Sequence, residues 1–327
     1  MAVLPPSYTP DLPPPFINIP LLPNLRDAGG YPSTIQPHGS STPYTVRKRL
    51  LYRSAEPSRI PANTLDRLYH DLGITTIFDL RSWPEIERAG NLSSWESRLQ
   101  ENGKIKRNWT PVFKTEDYNP AGVALRFKDY GSADGTNGFV KAYTAILENA
   151  GPAVSEVLWH LASSSASDPL PHGNADGVAG SELRATLIHC TAGKDRAGCV
   201  VAIVLGLLGV PEEIVAEEYA LTEMGMGPMK EYYVERLLSS GAFDGNSDPR
   251  AAVERMVTAR KESMLATLEM ARERWGGMEG YVKDVACVDD EVIAAVRRNC
   301  LVLAESQNDV VSGKCDRHAL SHLCSAP

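Results

Sequence analysis

One segment constrains the fold of this chain more than any other: an apolar stretch, a short polar loop and a second apolar stretch. It covers residues 184–209 and reads RATLIHCTAGKDRAGCVVAIVLGLLG. The first stretch has the length of a buried strand, and the second has the length of a buried helix. Only five residues separate Cys190 from Arg196, so the strand must lead almost directly into the helix. A buried strand joined to a buried helix in this way is typical of α/β proteins.

Other segments continue this alternation of strands and helices. Apolar residues recur with helical spacing in PANTLDRLYHDLG, whereas ITTIFDLRS and KIKRNWTPVF have the composition of strands. We expect a polar loop over residues 114–137, then helical sequence with a break near Gly151 and Pro152, and only helices between Gly225 and Leu303. The pattern predicts an α/β fold in which a central mixed or parallel sheet is flanked by helices and followed by a helical C-terminal elaboration.

The distribution of proline and of low-complexity sequence indicates one main domain. Twelve of the 23 prolines lie at or before Pro57, which favours an extended beginning of the chain. We assign residues 1–20 to a proline-rich arm and residues 21–304 to the domain. Residues 165–181 have the composition of a flexible insertion, and residues 305–327 that of a disordered tail.

Composition limits the partners and the compartment. A net charge of −8 and a pI near 5.5 argue against a general affinity for nucleic acid or for anionic membranes. No apolar run is long enough for stable membrane insertion, and the N-terminus lacks the pattern of a signal peptide. The six cysteines are scattered, without the spacing of a disulfide framework or a zinc site. We therefore expect a cytoplasmic protein without a metal or organic cofactor; the oligomeric state stays open.

The loop after the first apolar stretch has the chemistry of a phosphate-binding site. A strand that ends at Cys190 and a helix that starts near Asp195 wrap the backbone between them into a bowl, whose N–H groups point inward beside the positive helix N-terminus. A glycine permits the tight turn, and the guanidinium of Arg196 can bind two phosphate oxygens. The residues predicted to surround the phosphate are Thr191, Ala192, Gly193, Lys194, Ala197 and Gly198.

The same environment would change the reactivity of Cys190. Oriented amides and nearby cations stabilise a thiolate relative to a thiol, and a thiolate below a bound phosphate can attack phosphorus. The product would be a phosphocysteine, which water then hydrolyses. His189 would point away from the bowl and orient the loop through a hydrogen bond. The alternative is that Cys190 is an ordinary buried cysteine at the end of a strand.

These residues resemble a known signature. HCTAGKDRAG is similar to the loop of the cysteine-dependent tyrosine/serine and dual-specificity phosphatases, in particular to the bacterial and fungal branch whose loop reads His-Cys-x-x-Gly-Lys-Asp-Arg. Further segments resemble motifs of that branch in the same order, and the resemblance covers roughly residues 20–304. These segments are NLRDAGG, LLYRSAEPSRI, IFDLRSWPEIE and WGGMEGYVKDVACVDDEVIAAVR.

The resemblance implies roles for individual residues. Cys190 would be the nucleophile, Arg196 the phosphate clamp and Lys194 a second cation at the substrate. Residues in the other motifs would support the loop or tie the N-terminal arm to it. These supporting residues are Asn24, Arg26, Asp27, Arg53 and Arg81.

The acid that protonates the leaving oxygen has more than one candidate. Asp195 lies in the loop, and the resembling branch has an aspartate there, although the positive helix end favours its ionised form. Asp79, at the end of a neighbouring strand, is the second candidate, but it could equally form an ion pair with Arg81 that orients the loop. Asp117 and Asp129 are weaker candidates.

The function that we expect is hydrolysis of phosphomonoesters, with phosphotyrosine or phosphoserine proteins as the first choice of substrate. Phosphoinositides and small phosphorylated metabolites are the alternatives. Ala197 supports a different class, a slow or inactive phosphate-binding protein, because most relatives have a threonine or serine there. A sulfurtransferase or an arsenate-reductase-like enzyme would not explain His189, Lys194 or the distant motifs.

The alanine at position 197 generates a first prediction. In the resembling family, the hydroxyl of that threonine or serine donates to the thiolate as it leaves phosphocysteine. Its absence should slow hydrolysis of the intermediate more than its formation. We expect Ala197→Thr to raise kcat without lowering kcat/KM, measured by steady-state and burst kinetics on p-nitrophenyl phosphate. An unchanged kcat would mean that another group performs that task.

Overall fold

A five-stranded mixed sheet forms the centre of the chain. In the computed structural model, which describes residues 11–36, 41–115, 120–163 and 184–304, the strand order is β1-β3-β6-β4-β5. Strands β3, β6, β4 and β5 are parallel, and β1 runs antiparallel to β3. The strands are β1 (Arg26–Asp27), β2 (Tyr44–Val46), β3 (Leu51–Ser54), β4 (Ile74–Asp79), β5 (Lys106–Trp109), β6 (Ala185–His189) and β7 (Leu301–Leu303).

Helices cover the sheet and continue beyond it. Those in the first part of the chain are α1 (Ala62–His70), α2 (Trp83–Ala89), α3 (Leu92–Asn102), α4 (Pro120–Tyr130) and α5 (Gly135–Ser163). The helices after β6 are α6 (Asp195–Leu207), α7 (Glu212–Ala220), α8 (Thr222–Met226), α9 (Lys230–Leu238), α10 (Pro249–Met256), α11 (Lys261–Trp275), α12 (Met278–Asp284) and α13 (Asp290–Cys300). A 3-10 turn, Gly227–Met229, joins α8 to α9. The predicted fold class, including the helical C-terminal elaboration, is confirmed.

The central strand β6 is buried on both faces. Leu187 belongs to the apolar cluster that includes α1 and α3, whereas Ile188 belongs to the larger cluster that includes α5 and α6. Because successive side chains of a strand point to opposite faces, the apolar run in the sequence fills both clusters. Ile19 and Leu22, on either side of the expected arm boundary, pack into the first cluster.

The register of the parallel strands collects several functional candidates at one edge. Ser54 at the end of β3 and Asp79 at the end of β4 both lie opposite His189, the last residue of β6. The loop from Cys190 to Lys194 leaves from the same edge, and α6 begins directly after it. Ligands of open α/β sheets bind outside the carboxyl ends of the strands, which is where this loop lies.

Two of the expected elements are wrong. The segment 114–137 contains helix α4, although we expected only a loop. Within this polar segment, Phe127 stacks on Phe243, and Tyr130 packs against Phe139. These distant partners, rather than local periodicity, stabilise the helix.

The expected helix break at Gly151 and Pro152 is also wrong, because α5 runs unbroken through both residues. Gly151 is tightly packed, and a Cβ there would lie 2.4 Å from the carbonyl oxygen of Val285. Helix α5 also packs against α11 and α13. Tertiary packing thus overrides the local cost of proline.

The sequence did not predict the two short strands β2 and β7. Residues 301–303 end the helical region as β7, which pairs antiparallel with β2. Each strand has only three residues and is formed by a partner more than 250 positions away. The expected insertion at 165–181 and the tail at 305–327 lie outside the described residues. Within those that are described, no helix combines the length and the apolarity that crossing a membrane requires.

Pro152 generates a prediction about stability. Its ring lies on the exposed side of α5, where it removes one backbone hydrogen bond of the helix. Pro152→Ala should restore that bond and raise the free energy of unfolding by about 1–2 kcal/mol, since the greater freedom of the unfolded chain offsets part of the gain. Thermal and urea unfolding would measure the change. A lower melting temperature would show that the local backbone has adapted to the proline.

Candidate active site

The backbone of the loop closes tightly over the end of the sheet. Gly193 has a φ of +68°, and a Cβ at this position would lie 2.2 Å from the carbonyl oxygen of Ser54. Both the left-handed conformation and the close approach to β3 exclude other side chains. The loop therefore turns at Gly193, as its sequence predicted.

The carbonyl groups of the loop are all held from outside the bowl. The carbonyl of Thr191 accepts a hydrogen bond from the N–H of Glu56 at 3.1 Å. The side-chain amide of Asn24 donates to the carbonyls of Ala192 and Gly193, both at 3.2 Å. The guanidinium of Arg53 donates to the carbonyls of Gly193 and Lys194, at 2.7 and 3.1 Å.

These contacts fix the direction of the N–H groups. In a trans peptide, the N–H of each residue points opposite to the carbonyl of the preceding residue. Because the carbonyls of residues 191–194 point outward, the N–H groups of residues 192–195 point into the bowl. No described residue accepts a hydrogen bond from them. The loop therefore presents a row of donors on the side where the positive end of α6 also lies.

A buried cluster of charged residues holds Asn24 and Arg53, the two side chains that donate to the loop carbonyls. Glu218 bridges two arginines: its carboxylate lies 2.7 Å from Arg26 Nε and 2.6 Å from Arg53 NH1, and all three side chains are buried. Arg26 in turn donates to the side-chain oxygen of Asn24 and to Thr222. Although burial alone would raise the pKa of Glu218, the two guanidinium groups hold it below its usual value. Asn24 and Arg53 thus contact the loop directly, and Arg26 contacts Asn24 and Glu218 behind them.

Cys190 lies in the wall of a cavity of about 660 Å³. Apolar side chains from the helical part of the chain, among them Phe127, Tyr130 and Met256, line part of this cavity. The cavity also contains Thr191, Ala192, Lys194, Asp195 and Arg196 of the loop. Five further cationic residues line the cavity: Arg59, Arg88, Arg126, Lys230 and Arg236.

Arg196 is held by a carboxylate that we did not predict. NH1 and NH2 of Arg196 donate to the two oxygens of Glu85 at 2.5 and 2.7 Å, which is a bidentate pair. Glu85 also accepts from the hydroxyl of Thr191 and caps α2 through Ser82. Burial alone would raise the pKa of Glu85, but Arg196 lowers it to about 2. The pair orients the guanidinium beside the loop.

Lys194 and Asp195 form a second ion pair at the cavity. Lys194 Nζ lies 2.6 Å from Asp195 Oδ1 and donates to the carbonyl of Thr258 at 3.1 Å. Its ammonium also lies 4.8 Å from the ring centroid of Phe139. The carboxylate of Asp195 is about one-fifth exposed and lines the cavity, so it is accessible to a leaving group.

Asp79 does not fit the role of a catalytic acid. Its carboxylate has no exposed surface and does not line the cavity; it accepts hydrogen bonds from Arg81 and Arg107 instead. Although burial alone would raise the pKa of Asp79, the guanidinium groups hold it far below its usual value, so the group stays ionised at neutral pH. This placement supports the ion-pair alternative. Asp129 does not line the cavity, and Asp117 lies outside the described residues.

His189 lies directly below the loop. Its Nδ1 is 3.0 Å from the carbonyl oxygen of Cys190, and its Nε2 is 3.7 Å from Asp79. Burial lowers the pKa of His189 to about 4, so the ring is neutral at neutral pH and Nδ1–H can donate to the carbonyl. Arg81 forms ion pairs with Asp79 and with Glu56, which follows β3. His189 therefore contacts the first residue of the loop, and Arg81 lies behind it in contact with Asp79 and Glu56.

Three other predicted residues lie elsewhere. Asp27 accepts from the N–H groups of Gly29 and Arg49, both at 2.8 Å, and so stabilises a turn away from the cavity. The N–H of Gly198 donates to the carbonyl of Lys194 as part of α6. Ala197 has no exposed surface and does not line the cavity. A hydroxyl at position 197 must therefore fit a packed site, and Ala197→Ser, which adds one heavy atom, is a gentler variant than Ala197→Thr.

Comparisons with known proteins match most of the chain to phosphatases. A family model described as "Tyrosine phosphatase family" matches residues 17–302. A triple specificity protein phosphatase, PtpB of Mycobacterium tuberculosis, is 25% identical over 257 residues, which cover 75% of this chain and 88% of the relative. A tyrosine-protein phosphatase of Nostoc commune is 28% identical over 116 residues, 35% of this chain and 39% of the relative.

The pair of Glu85 and Arg196 generates a prediction about activity. Glu85→Gln removes the charge that orients the guanidinium, so kcat/KM for p-nitrophenyl phosphate should fall by about tenfold or more. Glu87→Gln, an exposed position on the same helix, is the matched control and should change little. Equal activity of both variants would contradict a role for the pair.

The same variant has a predicted pH dependence. The pKa of Glu85 is depressed from 4.5 to about 2, so its contribution to stability is present above pH 4.5 and is lost as the pH falls towards 2. The difference in the free energy of unfolding between the wild type and Glu85→Gln should therefore shrink over this range. Chemical denaturation at several pH values would measure it. A constant difference would contradict the ion pair.

Proposed function

The chain belongs to the tyrosine phosphatase family and is a phosphatase that acts on phosphorylated substrates; from this premise we propose that it works through a phosphocysteine at Cys190. The observation that carries the proposal is the row of inward N–H groups in a loop that begins at Cys190 and leads to Arg196. Such a row, next to a helix N-terminus, suits the oxygens of a phosphoryl group and the charge of a thiolate.

In the first proposed step, Cys190 Sγ attacks phosphorus as the bond from phosphorus to the leaving oxygen breaks. The loop amides and Arg196 bind the non-bridging oxygens, whose charge they stabilise in the transition state. Asp195 gives a proton to the leaving oxygen. The products are the S-phosphorylated enzyme and the dephosphorylated alcohol or phenol.

In the second proposed step, water attacks phosphorus and the bond between sulfur and phosphorus breaks. Asp195, now a carboxylate, accepts a proton from the attacking water, and Cys190 returns as a thiolate. Ala197 offers no hydroxyl to the departing sulfur, so this step should limit turnover. A thiolate nucleophile must remain reduced, which favours the reducing cytoplasm as the place of the reaction.

Phosphotyrosine or phosphoserine proteins are our first choice of substrate. The apolar side chains of the cavity can contact the ring of a phosphotyrosine. A specific feature also favours phosphoinositides or a small phosphorylated metabolite: the further cationic residues that line the cavity can bind additional phosphates. Parallel assays of phosphopeptides, phosphoinositides and small phosphoesters with one preparation would rank these substrates.

The proposed nucleophile generates the most direct activity test. Cys190→Ser should reduce the hydrolysis of p-nitrophenyl phosphate to background, because a serine hydroxyl is not ionised at neutral pH. Cys287→Ser, at an exposed position outside the cavity, is the matched control and should remain active. Alkylation should inactivate the wild type, and phosphate or vanadate should protect it.

Two outcomes would contradict this proposal. Turnover that persists in Cys190→Ser would exclude the thiol mechanism, whereas wild-type protein that binds phosphate without any turnover would be the slow or inactive binding protein considered above. Because the described residues include no cluster of three or more His, Cys, Asp or Glu suited to a metal ion, we also expect chelators to leave the activity unchanged. A clear loss with chelator would require a different mechanism.

A further inference from the structure

Asp195 is held by a chain of buried hydroxyl groups that the mechanism above does not use. The hydroxyl of Tyr143, on α5, donates to Asp195 Oδ1 at 2.8 Å. The hydroxyl of Tyr219, on α7, lies 2.5 Å from that of Tyr143. Three helices thus meet at one carboxylate, and neither tyrosine has exposed surface.

The direction of these hydrogen bonds is determined. The single hydroxyl proton of Tyr143 is engaged by Asp195, so Tyr219 must be the donor in the contact between the two tyrosines. Burial raises the pKa of both tyrosines well above the usual value, so both keep their protons at neutral pH. The chain therefore runs from Tyr219 through Tyr143 to Asp195.

The rings of the two tyrosines are fixed by aromatic packing. Tyr143 and Tyr219 meet edge to face, with centroids 6.0 Å apart. Phe139 and Tyr130 pack against Tyr143 in the same manner, at 5.7 and 6.1 Å. Such packing leaves the Tyr143 hydroxyl little freedom to move, so the position of the donor is set before a substrate arrives.

Both donors to Asp195 use the same oxygen. Tyr143 and Lys194 donate to Oδ1, and no described residue donates to Oδ2. Because Asp195 lines the cavity, Oδ2 is the oxygen that remains for a proton exchanged with the substrate. When this proton leaves, negative charge grows on the carboxylate, and the hydrogen bond from Tyr143 becomes stronger.

From this geometry we infer that Tyr143 is a positioning residue for Asp195, with Tyr219 holding Tyr143 in turn. The inference rests on the proposed function, in which Asp195 is the general acid of the first step. Tyr143 directs Oδ2 towards the leaving oxygen and stabilises the carboxylate that remains. It does not touch the substrate phosphate and takes up no proton.

The test compares a good and a poor leaving group. Tyr143→Phe keeps the ring and removes the hydroxyl. We measure kcat/KM, which reports the first step even if hydrolysis of phosphocysteine limits kcat. Phenyl phosphate, whose leaving group needs a proton, should lose about tenfold or more, while 2,4-dinitrophenyl phosphate, whose leaving group does not, should change by less than about twofold. Tyr219→Phe should show the same pattern with a smaller loss.

A matched variant separates positioning from a general effect on folding. Tyr281 is also buried, and its hydroxyl donates to the carbonyl of Leu147 at 2.7 Å, between α12 and α5. Tyr281→Phe loses a comparable hydrogen bond outside the cavity. We expect kcat/KM for the two substrates to keep the wild-type ratio, whatever the change in melting temperature.

Asp195→Asn distinguishes failure of the inference from failure of the proposed function. If this variant loses activity on phenyl phosphate selectively and Tyr143→Phe loses both substrates equally or neither, the positioning role is wrong and the acid assignment stands. If Asp195→Asn shows no dependence on the leaving group, the acid assignment itself fails. In the double variant, Tyr143→Phe should add no further selective loss, because the group that it positions is absent.

Discussion

The site depends on the hydrogen bonds that hold the carbonyl groups of residues 191–194 pointing out of the bowl. The partial positive charges of neighbouring N–H groups that point the same way repel one another, so other contacts must hold the loop in this conformation. Asn24 and Arg53 hold the opposite side of these peptides, and Glu218 joins Arg53 to Arg26 beneath them. Because the cluster is buried, removal of one member would leave an uncompensated charge, at a cost of about 3–5 kcal/mol. The bowl is therefore already formed in the folded chain before any phosphate binds.

Each cation of this layer has an acidic partner, which explains how a protein with a net charge of −8 can offer a local anion site. Glu85 orients Arg196, Glu218 bridges Arg26 and Arg53, and Asp195 pairs with Lys194. The acidic groups prevent the arginines from repelling one another while their donors remain directed at the loop.

The sequence predicted the structure of local segments, but it did not predict contacts between residues that are distant in the chain. Strand, loop and helix follow one another within residues 184–209, so the sequence alone predicted a turn at Gly193 between Cys190 and Arg196, whereas the roles of these two residues came from the family resemblance. The partners of the loop lie far away in the chain: Glu218 is 192 positions from Arg26, and Glu85 is 111 positions from Arg196. Tyr143 lies 52 positions from Asp195, so no local pattern connects the two residues. The wrong predictions at α4 and Pro152 have the same origin, because tertiary contacts decided both.

The central claim is that phosphate passes through a covalent bond to Cys190, and peptide mapping of an acid-quenched reaction tests it most directly. The slow second step expected from Ala197 should let the intermediate accumulate. We predict one phosphoryl group on the peptide that contains Cys190, present during turnover and gone when the substrate is exhausted. Phosphorylation of another residue would contradict the account. So would turnover without any phosphorylated enzyme, provided that the same quenching preserves a phosphocysteine standard.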